Sequence, residues 1–298
     1  MVAAGERFGL SAALTLPVTA EGAVDLRRLA GHAGWCLDAG CASVTVFGTT
    51  GEGASLGMSA REQALGALIG AGLDPRRSIV GGVAASSTHD AMLQARLLMD
   101  ANCRAVLLTP PFYFKDVTDD GLFTWFAHVF EKLGQQARDV ILYNIPSVTA
   151  VPLSVELVGR LRTAFPQVVI GVKDSSGDFA YTERLLAAHR DLVILIGDER
   201  GLAAGVRLGG QGAISGLANV CPQGLAAVIA EARDDARILQ LVEEVVRHPV
   251  VPAVKALVAH RTGDPAWLNV RAPLVALDAT TAGRLGTAYD AIFAAQAA

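Results

Sequence analysis

Of the 25 Lys and Arg side chains in this chain only Lys115, Lys132, Lys173 and Lys255 are lysines, and the neighbours of one of them are unusual. Lys173 ends the apolar run Val168–Val169–Ile170–Gly171–Val172 and is followed by Asp174. Desolvation at such a position disfavours the ammonium and draws a lysine pKa down from ~10.4 toward the working pH. A neutral amine in an apolar pocket attacks a ketone and forms a Schiff base. The competing reading is a strand-end lysine that reaches solvent or pairs with Asp174. Lys115, Lys132 and Lys255 lie in polar or amphipathic surroundings, where a hydrated ammonium is expected.

Two other segments carry reactive groups. Gly48–Thr49–Thr50–Gly51–Glu52 combines glycines, which let the backbone approach a ligand, with hydroxyls beside backbone N–H groups. That combination suits a small carboxylate. No Gly-Lys-Ser/Thr follows, so it is not a nucleotide-binding Walker loop, and taken alone it reads first as a tight turn with capping threonines. Tyr143, in Tyr143–Asn144–Ile145–Pro146, reads alone as a core aromatic. Beside a Schiff-base lysine, however, a phenol has work to do. Imine formation needs one proton delivered to the carbinolamine oxygen and one removed from nitrogen, and a positioned hydroxyl can do both.

These groups need elements to position them. Strands are expected at Gly9–Leu14, Ser43–Phe47, Ser78–Val83, Ala105–Leu108, Val140–Tyr143, Val168–Lys173, Val193–Ile196 and Gly212–Ser215. Helices are expected between them, near 25–39, 59–72, 88–100, 118–133, 154–163, 179–189 and 200–208. Asp25, Thr88 and Ser154 serve as start signals, and Ser59 with Glu62 as a capping box. Eight strands alternating with helices imply an α/β fold with a parallel sheet. A closed (β/α)8 TIM barrel needs ~250 residues, which points to a barrel over residues 1–222 that carries the active site. Leu225, Val228, Ile229, Ile238, Leu241, Val242 and Val245 recur at helical spacing, giving a C-terminal helical extension over 223–298, packed on the barrel. Pro249 and Pro252 are expected to interrupt it before a helix around Val254–His260. A doubly wound open sheet is the alternative, but Thr15–Leu16–Pro17–Val18–Thr19 lacks the dinucleotide-binding glycine pattern.

Composition narrows the function classes. An apolar content of 52%, a mean hydropathy of +0.39 and 18% charge imply a large core and some apolar surface covered by other subunits. Net charge of −4 with a pI near 5.9 and no basic stripe argues against nucleic-acid or anionic-membrane binding through bulk charge. Cys36, Cys41, Cys103 and Cys221 show no metal or redox spacing and read as reduced core thiols. MVAAGERFGL does not read as a signal peptide, and no apolar run reaches the ~18 residues of a membrane span. A cytoplasmic location is expected. His32, His89, His128, His189, His248 and His260 show no site-like spacing and read mostly as surface or capping residues.

The segments taken together resemble the pyruvate-dependent class I aldolases that include dihydrodipicolinate synthase and N-acetylneuraminate lyase. The resemblance rests on GTTGE at 48–52, TPPFYF at 109–114, YNIP at 143–146, VKDSSGD at 172–178, GDE at 197–199 and GGQGAIS at 209–215. It implies a barrel enzyme in which Lys173 forms the imine with pyruvate or another 2-oxo acid. By the same resemblance Tyr143 passes protons, Thr49 links the relay and Thr50 binds the carboxylate, with Gly51 in the same turn. Ile214 faces the keto acid through its backbone, and Tyr113 joins the relay from a neighbouring subunit of a homotetramer, a dimer of dimers. Neither metal nor external cofactor is implied, because the protonated imine is itself the electron sink.

One position departs from the pattern. True dihydrodipicolinate synthases resemble one another in a Pro-Ser-Arg-Thr run whose arginine binds the carboxylate of aspartate semialdehyde, whereas this chain has Pro146–Ser147–Val148–Thr149. Valine cannot pair with a carboxylate. The expectation is therefore a lyase or aldolase acting on a 2-keto-3-deoxy sugar acid or a related 2-oxo acid. Its alternatives are 4-hydroxy-tetrahydrodipicolinate synthase, a dehydratase using the same imine, and a barrel that binds 2-oxo acids without turnover. Asp198 and Glu199 lie where sugar-acid enzymes of the family bind hydroxyls. Either could bind sugar hydroxyls or cap the next helix; capping is the expectation for Glu199, and Asp198 stays open between the two. Phe112, Phe114 and Trp125 read as pocket or core aromatics.

Overall fold

The computed structural model describes residues 7–294. Eight strands form a closed parallel barrel: β1 (Gly9–Ala13), β2 (Ser43–Val46), β3 (Ile79–Val83), β4 (Ala105–Leu108), β5 (Val140–Asn144), β6 (Val169–Asp174), β7 (Val193–Ile196) and β8 (Gly212–Ser215), with β8 pairing back onto β1. The expected strands match within a residue at either end. Helices α1 (Leu26–Asp38), α2 (Met58–Gly70), α3 (Thr88–Asp100), α4 (Asp119–Leu133), α5 (Val155–Ala164), α6 (Phe179–Ala188) and α7 (Leu202–Arg207) follow the first seven strands. Then come α8 (Pro222–Glu231), α9 (Ala236–Val245), α10 (Val250–Thr262) and α11 (Ala279–Ala294).

Two apolar cores hold this arrangement. Alternate strand residues point inward, and Val80, Leu107, Ile141, Leu195 and Ile214 fill the barrel. The outward set packs with the helices in a larger core that includes Val44, Val106, Leu142, Val172 and Ile194. α8 completes the helix ring by packing against β1, with Leu225 fully buried. In α9 the positions of helical spacing, Ile238, Leu241, Val242 and Val245, are the buried ones.

Some local signals act differently from expectation. α2 starts at Met58 behind Gly57 with no side-chain cap, so Ser59 and Glu62 form no capping box. Ser59 is already helical, and its hydroxyl accepts instead from Gln63. At α3 the cap is Ser87, accepting from the Asp90 N–H, and Thr88 is the first helical residue. Asp25 and Ser154 cap α1 and α5. Pro252 does not interrupt α10, because it sits in the first turn, where its missing N–H has no helical partner to lose.

The sharper departures concern buried polar groups. Lys255 is fully buried, not hydrated. α10 is enclosed on nearly all sides, from Pro252 to Ala259, so its lysine has no route to water. The ammonium is instead ion-paired with Glu52. His32 is also interior: its Nε2 lies 2.8 Å from Asn219 Oδ1, and burial, partly opposed by that hydrogen bond, pushes its pKa down to about 4. Asn219 is the knot of this region. Its Oδ1 also accepts from the Thr15 N–H at 3.0 Å, and its Nδ2 donates to the carbonyls of Ala13 and Gly216, each at 2.7 Å. Truncating Asn219 to alanine would orphan several buried groups, at about 1–3 kcal/mol each. N219A is expected to lose at least about 3 kcal/mol by denaturant unfolding; a loss under about 1 kcal/mol would show that water replaces the amide.

Candidate active site

β5 and β6 run parallel with Tyr143 opposite Lys173 and Asn144 opposite Asp174. Since neighbouring strand residues face opposite sides, Tyr143 and Lys173 point together into the barrel, while Asn144 and Asp174 point together into the helix layer. This disposes of the surface-lysine reading. Lys173 is 6% exposed, and it does not pair with Asp174. That carboxylate accepts from Asn144 Nδ2 at 3.0 Å, from Thr182 Oγ1 at 2.6 Å and from the Ser176 N–H at 3.0 Å. Lys173 Nζ donates instead to Tyr143 Oη at 3.1 Å, lies 4.3 Å from the centre of its ring, and has Thr49 Oγ1 beyond, 3.5 Å from the phenol oxygen.

The chain Lys173–Tyr143–Thr49 bears on the phenol's acidity. Burial by itself raises the Tyr143 pKa. The Lys173 charge and hydrogen bonds with Thr49, Lys173 and Ser175 outweigh it, and the phenol is more acidic than usual. A tyrosine that gives up and regains its proton more easily suits general acid–base work.

Thr49 and Thr50 sit in a turn after β2 bracketed by two non-glycine residues with left-handed backbone, Phe47 at φ 61° and Glu52 at φ 51°. Such residues are strained unless the surroundings impose them. Here they do. A side chain at Gly51 would stand 2.8 Å from the Leu14 carbonyl oxygen, and one at Gly53 would collide with the Phe47 carbonyl. Arg61 of α2 is buried beneath the turn and donates to the carbonyls of Gly53, Leu56 and Gly82 at 2.6, 3.2 and 2.9 Å. Within the turn Glu52 N–H donates to Thr49 O at 3.0 Å. Among the described residues nothing accepts from the N–H groups of Thr49, Thr50 or Gly51. Consecutive free N–H groups make a concave anion site.

A cavity of about 350 Å³ at the C-terminal end of the strands is lined by Thr49, Thr50, Tyr143, Lys173 and Ile214. These expected residues come together; Gly51 supports them from behind, against β1. Tyr113 does not join them. It is 74% exposed on the loop after β4, with its ring edge-on to that of the equally exposed Phe114. Phe112 turns the other way and lines a second, largely apolar cavity of about 340 Å³ that shares Thr49, Tyr143 and Val148 with the first. Trp125 is partly buried, its indole N–H donating to Ser86 O at 2.9 Å.

Asp198 and Glu199 both line the cavity, and the cap is Asp198 rather than Glu199. Asp198 is the cap, accepting from the Arg200 N–H at 3.0 Å and from the Arg200 guanidinium at 2.7 Å. Burial alone would raise its pKa, but the hydrogen bonds and charge of Arg200 outweigh it and hold the carboxyl below the usual range. Glu199 lines the cavity and accepts from Ser215 Oγ at 2.5 Å. Its pKa is raised by burial and the nearby Asp198 charge, against the opposing pull of Ser215, its own backbone and Lys173. The sequence could not separate the two, because which acidic side chain meets the arginine depends on how the chain leaves β7. Ser175, Arg61, Lys255 and Ser215 were missed for the same kind of reason: each has a partner brought to it by a different element of the fold, Ser175 and Ser215 by the neighbouring strand or the turn after it, Arg61 by Gly82 of β3 and Lys255 by Glu52. Val148 is 60% exposed at the cavity rim, and five valines, Val242, Val245, Val246, Val250 and Val254, line a further wall. Among the described residues no group of three or more His, Cys, Asp or Glu side chains is placed to hold a metal ion, and no helix is long and apolar enough to cross a membrane.

Comparison with known proteins agrees with this geometry. The dihydrodipicolinate synthetase family profile matches residues 7–291. A DapA-like lyase of Chloroflexus aurantiacus, itself uncharacterized, is 30% identical, covering 97% of this chain and 98% of its own. A 4-hydroxy-tetrahydrodipicolinate synthase of Pseudomonas putida is 33% identical over 73% of each chain. The crystal structure of dihydrodipicolinate synthase from Agrobacterium tumefaciens superposes with a TM-score of 0.94 at 56% identity, covering 96% of this chain and all of that one. This chain belongs to the dihydrodipicolinate synthetase family, whose members are pyruvate-dependent class I aldolases and lyases that work through a lysine Schiff base and need no external cofactor.

Proposed function

We propose that the protein cleaves or forms a carbon–carbon bond in a 2-keto-3-deoxy sugar acid or a closely related 2-oxo acid, releasing or adding pyruvate, in the cytoplasm. The observation that carries this reading is Lys173 Nζ hydrogen-bonded to Tyr143 inside an apolar barrel, at the floor of a cavity whose rim has Val148 and, among the described residues, no unpaired cation. The carboxylate of the 2-oxo acid lies on the N–H groups and hydroxyls of Thr49 and Thr50, with the Ile214 backbone along the bound keto acid. Lys173 attacks the ketone. Tyr143, backed by Thr49, passes the proton shed by nitrogen to the carbinolamine oxygen and then gives up its own, so that the oxygen leaves as water and the phenol becomes a phenolate. The resulting iminium accepts the electron pair when the bond between C3 and C4 breaks, as the phenolate takes the proton of the C4 hydroxyl. The aldehyde leaves, and protonation of the enamine and hydrolysis return pyruvate.

The rim supports the choice of partner. A carboxylate at the far end of the substrate would meet Glu199 and a wall of valines, and the nearest guanidinium, Arg200, is already paired with Asp198. A hydroxyl there can hydrogen-bond to Glu199. Asp198, tied to Arg200, acts through that pair as the edge of the subsite. In the same reading the protein is a homotetramer built as a dimer of dimers. The exposed Tyr113 of one copy reaches the apolar cavity beside Thr49 and Tyr143 of a second and extends the relay.

Three outcomes test this. Borohydride reduction in the presence of pyruvate should add one pyruvate-derived group on Lys173, found by peptide mass mapping. K173A should abolish it, with kcat/KM down at least about a thousandfold, and Y143F should cost about 10²-fold in kcat. Lack of an adduct would favour a binding protein over an enzyme.

A coupled assay with pyruvate and aspartate semialdehyde should show little turnover, and V148R should raise it at least about tenfold by restoring a carboxylate clamp. Brisk turnover by the natural chain would make it a 4-hydroxy-tetrahydrodipicolinate synthase instead.

The third outcome concerns pH. Glu199 holds its proton more tightly folded than unfolded, so the stability gained by protonation is complete at low pH and is lost as pH rises through the folded pKa. Glutamine does not ionise. E199Q should therefore melt above the natural chain at pH 7 and converge with it toward pH 4, while losing activity on hydroxylated substrates. A lower melting temperature at pH 7 would overturn the assignment of Glu199 as a destabilising group kept for binding.

A further inference from the structure

The strained turn that carries Thr49 and Thr50 is fastened from below by charges that come from the far end of the chain. Glu52, in left-handed backbone, closes the turn with its N–H on Thr49 O. Its carboxylate turns away from the site into the core. One oxygen accepts from Lys255 Nζ of α10, and the other from the Arg271 N–H at 2.7 Å. Lys255 Nζ also donates to Asn269 O. Both side chains of the pair are inaccessible to water. Arg271 adds hydrogen bonds from its guanidinium to the Ser55 and Gly22 carbonyls, and Asn269 Nδ2 donates to Val18 O at 3.1 Å. The segment after α10 is thereby tied to the loops that follow β1 and β2, both at the mouth of the barrel.

Neither Glu52 nor Lys255 lines the cavity that holds Lys173, so neither touches a reacting atom. A buried ion pair is a weak way to gain stability, since apolar residues of similar volume do as well or better. It is a good way to fix a direction, because both charges must stay satisfied. Any shift of Glu52 that keeps its two partners drags the Thr49 carbonyl with it. We propose that the Glu52–Lys255 ion pair and the Arg271 N–H form a clamp through which the C-terminal segment sets the position of Thr49 and Thr50, making Glu52 and Lys255 positioning residues for the substrate carboxylate. This rests on the reading above that the turn holds that carboxylate.

The test uses the full-length protein with pyruvate as probe and two readouts that need no aldehyde: borohydride trapping and exchange of the pyruvate methyl protons with deuterated water, which reports the enamine. In E52Q and K255M the pyruvate concentration giving half-maximal exchange should rise about tenfold, while the exchange rate at saturation falls less than about threefold, because Lys173 and Tyr143 are untouched. The double variant E52Q/K255M should be no worse than either single one, as expected of one coupled unit. K132M, on the outside of α4, should match the natural chain. If K255M does not fold, E52Q carries the test, since glutamine keeps the volume and an acceptor for the Arg271 N–H. Folded variants with unchanged half-saturation, or with a collapsed saturated rate and unchanged half-saturation, would sink the clamp. Failure of the natural chain to trap or exchange pyruvate would strike the Schiff-base reading itself, and the clamp with it.

Discussion

The structure turns on one contact, the hydrogen bond from Lys173 Nζ to Tyr143 Oη across neighbouring parallel strands. It exists because the register of β5 and β6 puts the two residues opposite each other and because strand alternation sends both inward. The same register sends Asn144 and Asp174 outward together, where they satisfy one another in the helix layer. Without that separation the adjacent carboxylate would be free to pair with the lysine. The barrel thus sorts four polar side chains on two strands into a pair facing its interior and a pair facing the helix layer.

Charge burial is the second theme. Removing an ion from water costs several kcal/mol unless partners replace the lost solvation, and three buried basic side chains here have distinct partners. Arg61 has three carbonyls and the face of the Phe47 ring. Lys255 has Glu52 and Asn269 O, and Lys173 has a phenol. Two of these three lie under the Thr49–Thr50 turn, whose flanking residues are held in left-handed backbone. Arg61 engages the carbonyls of Gly53, Leu56 and Gly82 beneath the turn, and among the described residues the N–H groups of Thr49, Thr50 and Gly51 have no protein acceptor.

At the rim, polarity is divided between two consecutive acids. Both line the cavity, but Asp198 spends its charge on Arg200 and the start of a helical turn, whereas Glu199 is held by Ser215 and is poor in solvent. Val148 and the valines of α9 and α10 line the rest of this end of the cavity, so its polarity is concentrated at the two acids.

The sequence alone was enough to determine the alternation of strands and helices and the barrel, and to single out Lys173, Tyr143, Thr49 and Thr50, which the fold brings to one cavity. Each of these is written in local pattern: apolar runs of strand length, glycines beside threonines, a lysine where a strand ends. The fate of Lys255 was not, because burial of an amphipathic-looking helix depends on what packs over its polar side, and Glu52 stands some two hundred positions away. The choice of Asp198 over Glu199 as a cap, the cap moving from Thr88 to Ser87, and the interior place of His32 were likewise decided by tertiary structure. Local sequence records which groups can ionise or donate; only the folded chain determines which of them water can still reach.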